Sequence, residues 1–235
     1  MSLFSERRYR KFVILSSPRS GTHMLRTSLD NHRNIVCLTE MFNPDYTAGK
    51  YAFAEDTPEQ QILDDYIFSP QEWKIRAVGF CLHRAGARFG KWPHLWETLA
   101  AMPDLLVISL HRKNLLRRYL SFHLRPKRGV PKSPPAPLVL DRNQLIADFQ
   151  LQAAKIAEFD RQFHDHPLMT VAYEDLCTNY EATMRNVQVF LKVPYRPLRP
   201  ETPKLASKPL PAAIQNYQEL KEQFADTEWA EFFDD

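Results

Sequence analysis

The 235-residue sequence is poor in glycine and cysteine and has no long apolar run. Its 6 glycines are too few for flexible linkers or for a glycine-rich dinucleotide fingerprint. The 3 cysteines, Cys37, Cys81 and Cys177, stand far apart without the paired spacing of zinc sites, so we expect reduced thiols, no bound metal and a cytoplasmic location. The first apolar run, Phe12–Leu15, is shorter than a signal-peptide core, and no run approaches the roughly 18 residues of a membrane span, so we expect neither feature.

The sequence also lacks a strong excess of either charge. Lysine and arginine number 31 and aspartate and glutamate 28, for a net charge of +3, which is too small to predict a nucleic-acid partner. Any anion site must therefore be local. The hydrophobic fraction of 44% and the charged fraction of 25% are typical of globular proteins. Because a chain of this length fits one domain, we predict a single domain over residues 1–235.

Short apolar runs alternate with segments of helical periodicity. Five of these runs are too short for helices and predict strands. They are Phe12–Leu15, Ile35–Leu38, Ala77–Leu82, Leu105–Leu110 and Leu168–Ala172. Such alternation is typical of an α/β fold in three layers, with a central, mostly parallel sheet of about five strands between helices.

Two helices are clearly predicted between or after these runs. Asp141 is placed to cap the first helix, with Gln144 three residues later. The apolar positions at near-helical spacing in that helix are Leu145, Phe149, Ala153, Ile156 and Phe163. The second helix follows the last predicted strand and carries Met184, Val187 and Leu191 on one face.

Two segments are rich in proline, one from Pro126 to Pro137 and one from Pro194 to Pro211. Proline restricts φ and lacks an N–H donor, so these segments are predicted to be extended loops. Too few residues follow Pro211 to form another core. We therefore predict a proline-rich lid at 126–137 that wraps the domain, and no boundary between two domains.

The most informative segment leads from a strand through a tight turn into a helix. After Phe12–Leu15 it reads Ser16-Ser17-Pro18-Arg19-Ser20-Gly21-Thr22-His23-Met24. Such a turn presents backbone N–H groups and the positive end of a helix to an anion, and Gly21 permits a conformation that other residues resist. Ser20 and Thr22 add hydroxyl donors, and Arg19 adds a cation. The residues alone leave open an anion site or an ordinary polar turn.

The turn differs from the phosphate loop of nucleotide triphosphatases. That loop has an earlier glycine and a lysine directly after the second glycine, whereas Thr22 follows Gly21 here. This difference disfavours a kinase or ATPase.

The segment Pro18 to Thr22 resembles the 5′-phosphosulfate loop of sulfotransferases that use 3′-phosphoadenosine 5′-phosphosulfate (PAPS). Four further segments resemble the same family in the same order. They are Thr39 to Asn43, Leu105–Leu110 with His111, Arg112 and Ser121, Ala172 to Leu176, and Lys204 to Tyr217. Thr39 to Asn43 resembles a signature of the bacterial branch that sulfates carbohydrates, which includes the Nod factor and lipopolysaccharide sulfotransferases. The resemblance covers nearly the whole chain.

The resemblance implies two anion sites, one for each end of PAPS, and no metal. The residues implied at the 5′-phosphosulfate are Arg19, Ser20, Gly21, Thr22, His23 and Met24. Arg112 and Ser121 are implied at the 3′-phosphate, and Tyr173 near the adenine. Lys204, Ser207 and Lys208, in a C-terminal segment at 199–235, are implied to close over the nucleotide. Taken singly, Arg112 is equally compatible with a solvated arginine at a strand end, and Tyr173 with a core tyrosine. The segment of Lys204, Ser207 and Lys208 is equally compatible with a solvent-facing basic loop.

The resemblance also implies the catalytic residues. Arg19 is expected near the bridging oxygen, where it neutralises charge on the departing phosphate of 3′,5′-adenosine bisphosphate. Glu40 follows the second strand, at the end where open α/β sheets bind ligands, and is expected to be the base for the acceptor hydroxyl. His23 is expected to assist, or to be a neutral hydrogen-bonding residue. An isolated Glu40 would otherwise be a surface charge.

The acceptor side departs from the family pattern. Related enzymes commonly have a lysine where this chain has Cys81, so its role falls to His83, to Arg84 or to no residue. We expect Cys81 to be a small core residue. Trp73, Trp92 and Trp96 are expected either to stack on sugar rings or to pack in the core.

These observations predict a PAPS-dependent sulfotransferase acting on a hydroxyl of a carbohydrate or glycolipid acceptor. The alternatives are a non-catalytic adenine-nucleotide-binding protein and a phosphotransferase with a related loop. Two questions stay open at the level of sequence: whether the chain forms a homodimer, and whether the basic run from Arg125 to Lys132 contacts a membrane surface or is a solvated lid.

Overall fold

The computed structural model describes residues 9–43, 53–54, 56–84, 92–124, 136–201 and 208–234. Five strands of these residues form one sheet, in the order β2-β3-β1-β4-β5, and every neighbouring pair is parallel. The strands are β1 (Arg10–Ser16), β2 (Ile35–Glu40), β3 (Ala77–His83), β4 (Leu106–His111) and β5 (Leu168–Ala172). Each overlaps the apolar run that predicted it, and the α/β prediction is confirmed.

The helices lie between and after the strands. They are α1 (Thr22–Asp30), α2 (Glu59–Gln61), α3 (Leu95–Ala100), α4 (Leu115–His123), α5 (Arg142–Gln162), α6 (Tyr173–Thr178), α7 (Tyr180–Phe190), α8 (Leu210–Ala213) and α9 (Tyr217–Phe224). A π-helical turn, Ile62–Ile67, continues α2, and a 3-10 turn is formed by Ala230–Phe233.

The central strand β1 is buried on both faces because helices cover the sheet on both sides. Val13 and Leu15 point to a cluster that includes Phe159 and Phe163. The side chains of Phe12 and Ile14 point to the opposite face of the sheet, where they join a second cluster that contains residues of α1 and α7. The uninterrupted apolar run of β1 is thus explained by burial on both sides.

The two helices predicted from their apolar faces are present, with one correction. Asp141 caps α5 by accepting a hydrogen bond from the backbone N–H of Gln144 at 2.9 Å. Met184 and Val187 of α7 are buried as predicted. Ala153, however, is exposed, and Gln152 is buried in its place. The elements that pack against α5 determine which of its residues are buried, and at Ala153 the buried face differs from the one that the apolar pattern predicts.

The C-terminal segment forms a third apolar cluster with α4 and α5. Phe224 and Phe233 are fully buried beside Phe149 of α5. The backbones of Leu138 and Ile214 form a parallel bridge, and the side chain of Asn216 donates to the Leu140 carbonyl at 2.9 Å. The segment after residue 208 is therefore attached to the helix that bears Ser121.

Candidate active site

The carboxyl ends of all five strands meet at one edge of the sheet because the strands are parallel. The central strand β1 ends at Ser16, where the Pro18 to Thr22 turn begins. On one side of β1, β2 ends at Glu40 and β3 at His83. On the other side, Arg112 follows β4 and Tyr173 follows β5. The sheet therefore places the two predicted anion sites on the β1-β4-β5 half and the predicted base on the β2-β3 half.

The turn after β1 adopts a conformation suited to binding an anion. Gly21 precedes α1 with a left-handed φ of 92°, and Thr22 Oγ1 donates to Ser16 Oγ at 2.8 Å. Among the described residues no side chain caps α1, so N–H groups of its first turn, which lack intrahelical partners, remain for a ligand. The side chain of Met24 packs against the apolar cluster, which leaves only its backbone for such a contact.

Gly21 has a second constraint that sequence reasoning missed. A Cβ at this position would lie 2.5 Å from Cδ2 of Tyr173. Glycine is therefore needed for close packing as well as for the turn. The aromatic ring predicted near the adenine thus touches the predicted phosphosulfate loop.

Arg19 and Ser121, predicted at opposite ends of the nucleotide, are in contact. Arg19 has a φ of 72°, and its Nε donates to Ser121 Oγ on α4 at 2.9 Å. This contact brings the loop and α4 together. His23 is exposed on the first turn of α1.

Arg112 is a mostly buried cation. Its guanidinium lies 4.7 Å from the centre of the Tyr173 ring, and its side chain is 11% exposed. Its Nε is 3.9 Å from Glu174 Oε1 and has no hydrogen-bond partner among the described residues. Burial lowers the pKa of Arg112 and raises the pKa of Tyr173 to about 12. A buried, under-satisfied guanidinium beside a neutral phenol fits an anionic ligand such as phosphate.

Glu174, which sequence reasoning did not single out, organises the turn after β4. Its carboxylate accepts hydrogen bonds from the backbone N–H groups of Lys113 at 2.9 Å and of Asn114 at 3.2 Å. Asp175 pairs with the Lys113 ammonium at 3.2 Å. These contacts attach the start of α6 to the turn that carries Arg112. An acidic residue directly after Tyr173 was the available signal.

Glu40 is a buried carboxylate at the end of β2. It is 9% exposed, and its Oε2 accepts a hydrogen bond from Asn43 Nδ2 at 2.9 Å. His83 Nδ1 lies 3.2 Å from the same oxygen. Between Glu40 and Asn43, the side chains of Met41 and Phe42 are buried in the core, and the Phe42 ring centre is 5.1 Å from that of Trp92. Burial of Met41 and Phe42 in the core therefore holds Glu40 and Asn43 at the edge of the sheet.

Of the two residues proposed to take the role of the family lysine, His83 is the one that contacts Glu40. Arg84 is 1% exposed and donates to Ser109 Oγ at 2.5 Å, away from Glu40. Burial, opposed by nearby Asp160, lowers the pKa of Arg84 to about 10, so it stays a cation at neutral pH. Cys81 is buried, as predicted for a core residue.

The tryptophans do not form a sugar platform at this edge. Trp92 and Trp96 are buried in the core, which supports the packing interpretation. Trp73 is 89% exposed, but it precedes β3 and so lies towards the amino ends of the strands, opposite the candidate site.

Several predicted features lie outside the described residues. These are Lys204, Ser207 and the lid at 126–137 except for its last two residues. Lys208 is exposed, and its backbone carbonyl accepts from Arg117 Nη1 at 3.2 Å. In the part of the chain that the structure describes, no helix is long and apolar enough to cross a membrane. Nor do these residues include a group of three side chains arranged to hold a metal.

Comparison with known proteins identifies similar sequences and folds. A model of the Sulfotransferase family matches residues 11–197. Nodulation protein H of Rhizobium tropici is 28% identical over 238 residues, covering 95% of this chain and 92% of the relative. Nodulation protein H of Rhizobium meliloti strain 1021 is 26% identical over 235 residues, covering 95% and 94%. A sulfotransferase crystal structure from Alicyclobacillus acidocaldarius has a similar fold, with a TM-score of 0.53, 18% identity and coverage of 91% and 90%.

Proposed function

Because the chain belongs to the sulfotransferase family, we propose that it transfers a sulfuryl group from PAPS to a hydroxyl of a carbohydrate or glycolipid acceptor. The observation that carries this proposal is the position of Tyr173. Its ring packs on Gly21 and beneath Arg112, so it joins the two candidate anion sites. A nucleotide with a phosphate at each end matches that arrangement.

The nucleotide half of the site is proposed to bind PAPS through both anionic groups. The N–H groups at the start of α1, with Ser20 and Thr22, bind the 5′-phosphosulfate. Arg112 binds the 3′-phosphate, which supplies the acceptor that its buried Nε lacks among the described residues. Lys204, Ser207 and Lys208 remain proposed to close over the bound nucleotide.

The proposed reaction exchanges one S–O bond for another. The acceptor oxygen forms a bond to sulfur while the bond from sulfur to the 5′-phosphate oxygen breaks, and that oxygen keeps the electron pair. Glu40 accepts the acceptor's hydroxyl proton, and Arg19 neutralises charge on the phosphate that leaves as 3′,5′-adenosine bisphosphate. His23 is a proposed assistant at the start of α1. Preorganised charge is the main contribution expected in such group transfers.

The acceptor is proposed to be a sugar hydroxyl, and the reaction is proposed to take place in the cytoplasm. The Thr39 to Asn43 segment resembles a signature of the carbohydrate-sulfating branch, which favours a sugar hydroxyl. The cysteines are free thiols, which suits a reducing compartment, and we place the reaction in the cytoplasm on that ground.

Binding and transfer assays on the purified chain test this function. We expect adenosine bisphosphate to release heat on titration, ATP with magnesium to bind more weakly, and radiolabelled sulfate from PAPS to appear on a sugar acceptor. Binding without transfer to any carbohydrate in a broad screen would favour a non-catalytic nucleotide-binding protein. Stronger binding of ATP with magnesium would favour a phosphotransferase. No binding of adenosine bisphosphate would overturn the proposal.

The role of Glu40 is tested by Glu40→Gln, which keeps the shape of the side chain and removes its basicity. We expect turnover to fall about 100 to 10,000-fold while the affinity for adenosine bisphosphate is unchanged, as measured by initial rates and calorimetry. Glu97→Gln, an exposed change on α3, is the control and should match the unsubstituted chain. Near-normal turnover in Glu40→Gln would remove Glu40 from the mechanism.

A further inference from the structure

The polar contacts of the Glu40 carboxylate with described residues lie at one of its two oxygens, Oε2. In the described part of the chain, Asn43 Nδ2 at 2.9 Å and His83 Nδ1 at 3.2 Å both approach Oε2. No hydrogen bond or ion pair from the described residues reaches Oε1. Contacts at one oxygen only would orient the carboxylate, so that a single oxygen is presented to the acceptor.

We infer that His83 is a positioning residue for the proposed base, holding Glu40 Oε2 together with Asn43 so that Oε1 receives the proton of the acceptor hydroxyl. This inference rests on the proposed function and adds a residue to it. It also selects a tautomer, because His83 Nδ1 must carry the proton to donate to a carboxylate oxygen.

The backbone of β2 is distorted where it brings Glu40 to His83. Leu38 pairs with Phe80 of β3, but the next pairing joins Glu40 to Cys81, so β2 has one extra residue, Thr39, between them. Such a bulge bends a strand and redirects the side chain that follows it. The carboxylate of Glu40 then lies against the side chain at the end of β3.

The surroundings of His83 favour a neutral imidazole. The side chains of His83 and Glu40 are 18% and 11% exposed, and burial lowers the pKa of His83 although Glu40 acts in the opposite direction. A neutral donor holds Oε2 without adding a charge, whereas a cation beside Glu40 would reduce the affinity of the carboxylate for a proton. The neighbouring cation Arg84 is directed to Ser109.

Substitutions at His83 separate a positioning role from a structural one. His83→Ala removes the donor, and we expect the kcat for labelled sulfate transfer to fall about 10 to 100-fold, the range expected for a misplaced catalytic group. Adenosine bisphosphate affinity and the KM for PAPS should stay unchanged. His83→Asn places an amide N–H near the position of Nδ1 and should restore most of the kcat. His164→Ala, an exposed change beyond α5, is the matched control.

The activities of the His83 variants and of the unsubstituted chain distinguish a failure of the inference from a failure of the proposed function. A His83→Ala variant with unchanged kcat would overturn the inference, as would a His83→Asn variant that binds adenosine bisphosphate normally but turns over no faster than His83→Ala. If the unsubstituted chain transfers no sulfate at all, it is the proposed function that fails. If the unsubstituted chain is active and the His83 variants match it, only the inference fails.

Discussion

At the scale of single residues, Gly21 connects the loop to the rest of the site. Its φ of 92° is a conformation that glycine adopts without strain, and its missing side chain lets the Tyr173 ring approach. The same ring lies beneath Arg112. One small residue thus determines how closely the two candidate anion sites approach each other.

The corresponding prediction is that Gly21→Ala weakens nucleotide binding. The added Cβ would meet Tyr173 at 2.5 Å in a strained backbone conformation, so we expect the affinity for adenosine bisphosphate to fall about 5 to 150-fold, for a loss of roughly 1–3 kcal/mol. Calorimetry on the folded protein measures this loss.

Gly79→Ala provides the matched control. Its Cβ would overlap Phe12 inside the sheet, away from the candidate site, so stability should fall while the folded protein binds the nucleotide normally. Equal losses of affinity in the two variants would contradict a local role for Gly21.

At the scale of elements, the turn between β4 and α4 is attached to the start of α6. Glu174 accepts from two backbone N–H groups of that turn, and Arg112 in the same turn lies over the Tyr173 ring. Removing the carboxylate would leave the partly buried Asn114 N–H and the exposed Lys113 N–H without their acceptor, at a cost of about 1–3 kcal/mol that comes mainly from the buried donor.

We therefore expect Glu174→Ala to lower both the free energy of unfolding and the affinity for adenosine bisphosphate. Urea denaturation and calorimetry are the measurements. Asp175→Ala, which breaks an ion pair whose side chains are 59% and 44% exposed, should change either quantity by little, because exposed pairs contribute weakly. A rise in affinity in Glu174→Ala would mean that repulsion between Glu174 and the nucleotide outweighs its structural contribution.

At the scale of the whole molecule, the C-terminal segment belongs to the packed structure. Phe224 and Phe233 are stacked with ring centres 5.0 Å apart, in the cluster formed with α4 and α5. The helix that carries Ser121 is thereby supported on one side by residues more than 80 positions later in the chain.

Phe224→Ala tests this support. Emptying a fully buried phenylalanine site should cost about 3–5 kcal/mol and lower the Tm in a thermal scan by several degrees. Leu151→Ala, at a position on α5 that is 49% exposed, should change the free energy of unfolding by less than about 0.5 kcal/mol. Similar Tm values for both variants would show that the C-terminal cluster contributes little.

Local features of the fold could be predicted because they depend on residues adjacent in the chain. The strand β1 and the capped start of α5 follow from an apolar run and from the pair Asp141 and Gln144. The conformation required of Gly21 follows in the same way from the turn in which it stands. The prediction for Ala153 was wrong because the exposure of this residue depends on what α5 packs against.

The amino-acid sequence was enough to predict the α/β class, a candidate anion-binding turn and Arg19, Glu40 and Arg112 as separate candidate residues. Their neighbours became known only from the three-dimensional arrangement, in which Arg19 contacts Ser121 and Glu40 contacts His83. Parallel strands are joined by long crossovers, so residues distant in the chain become neighbours only through the strand order, which depends on the packing of the complete sheet. The bulge in β2 then redirects the side chain of Glu40 towards the end of β3.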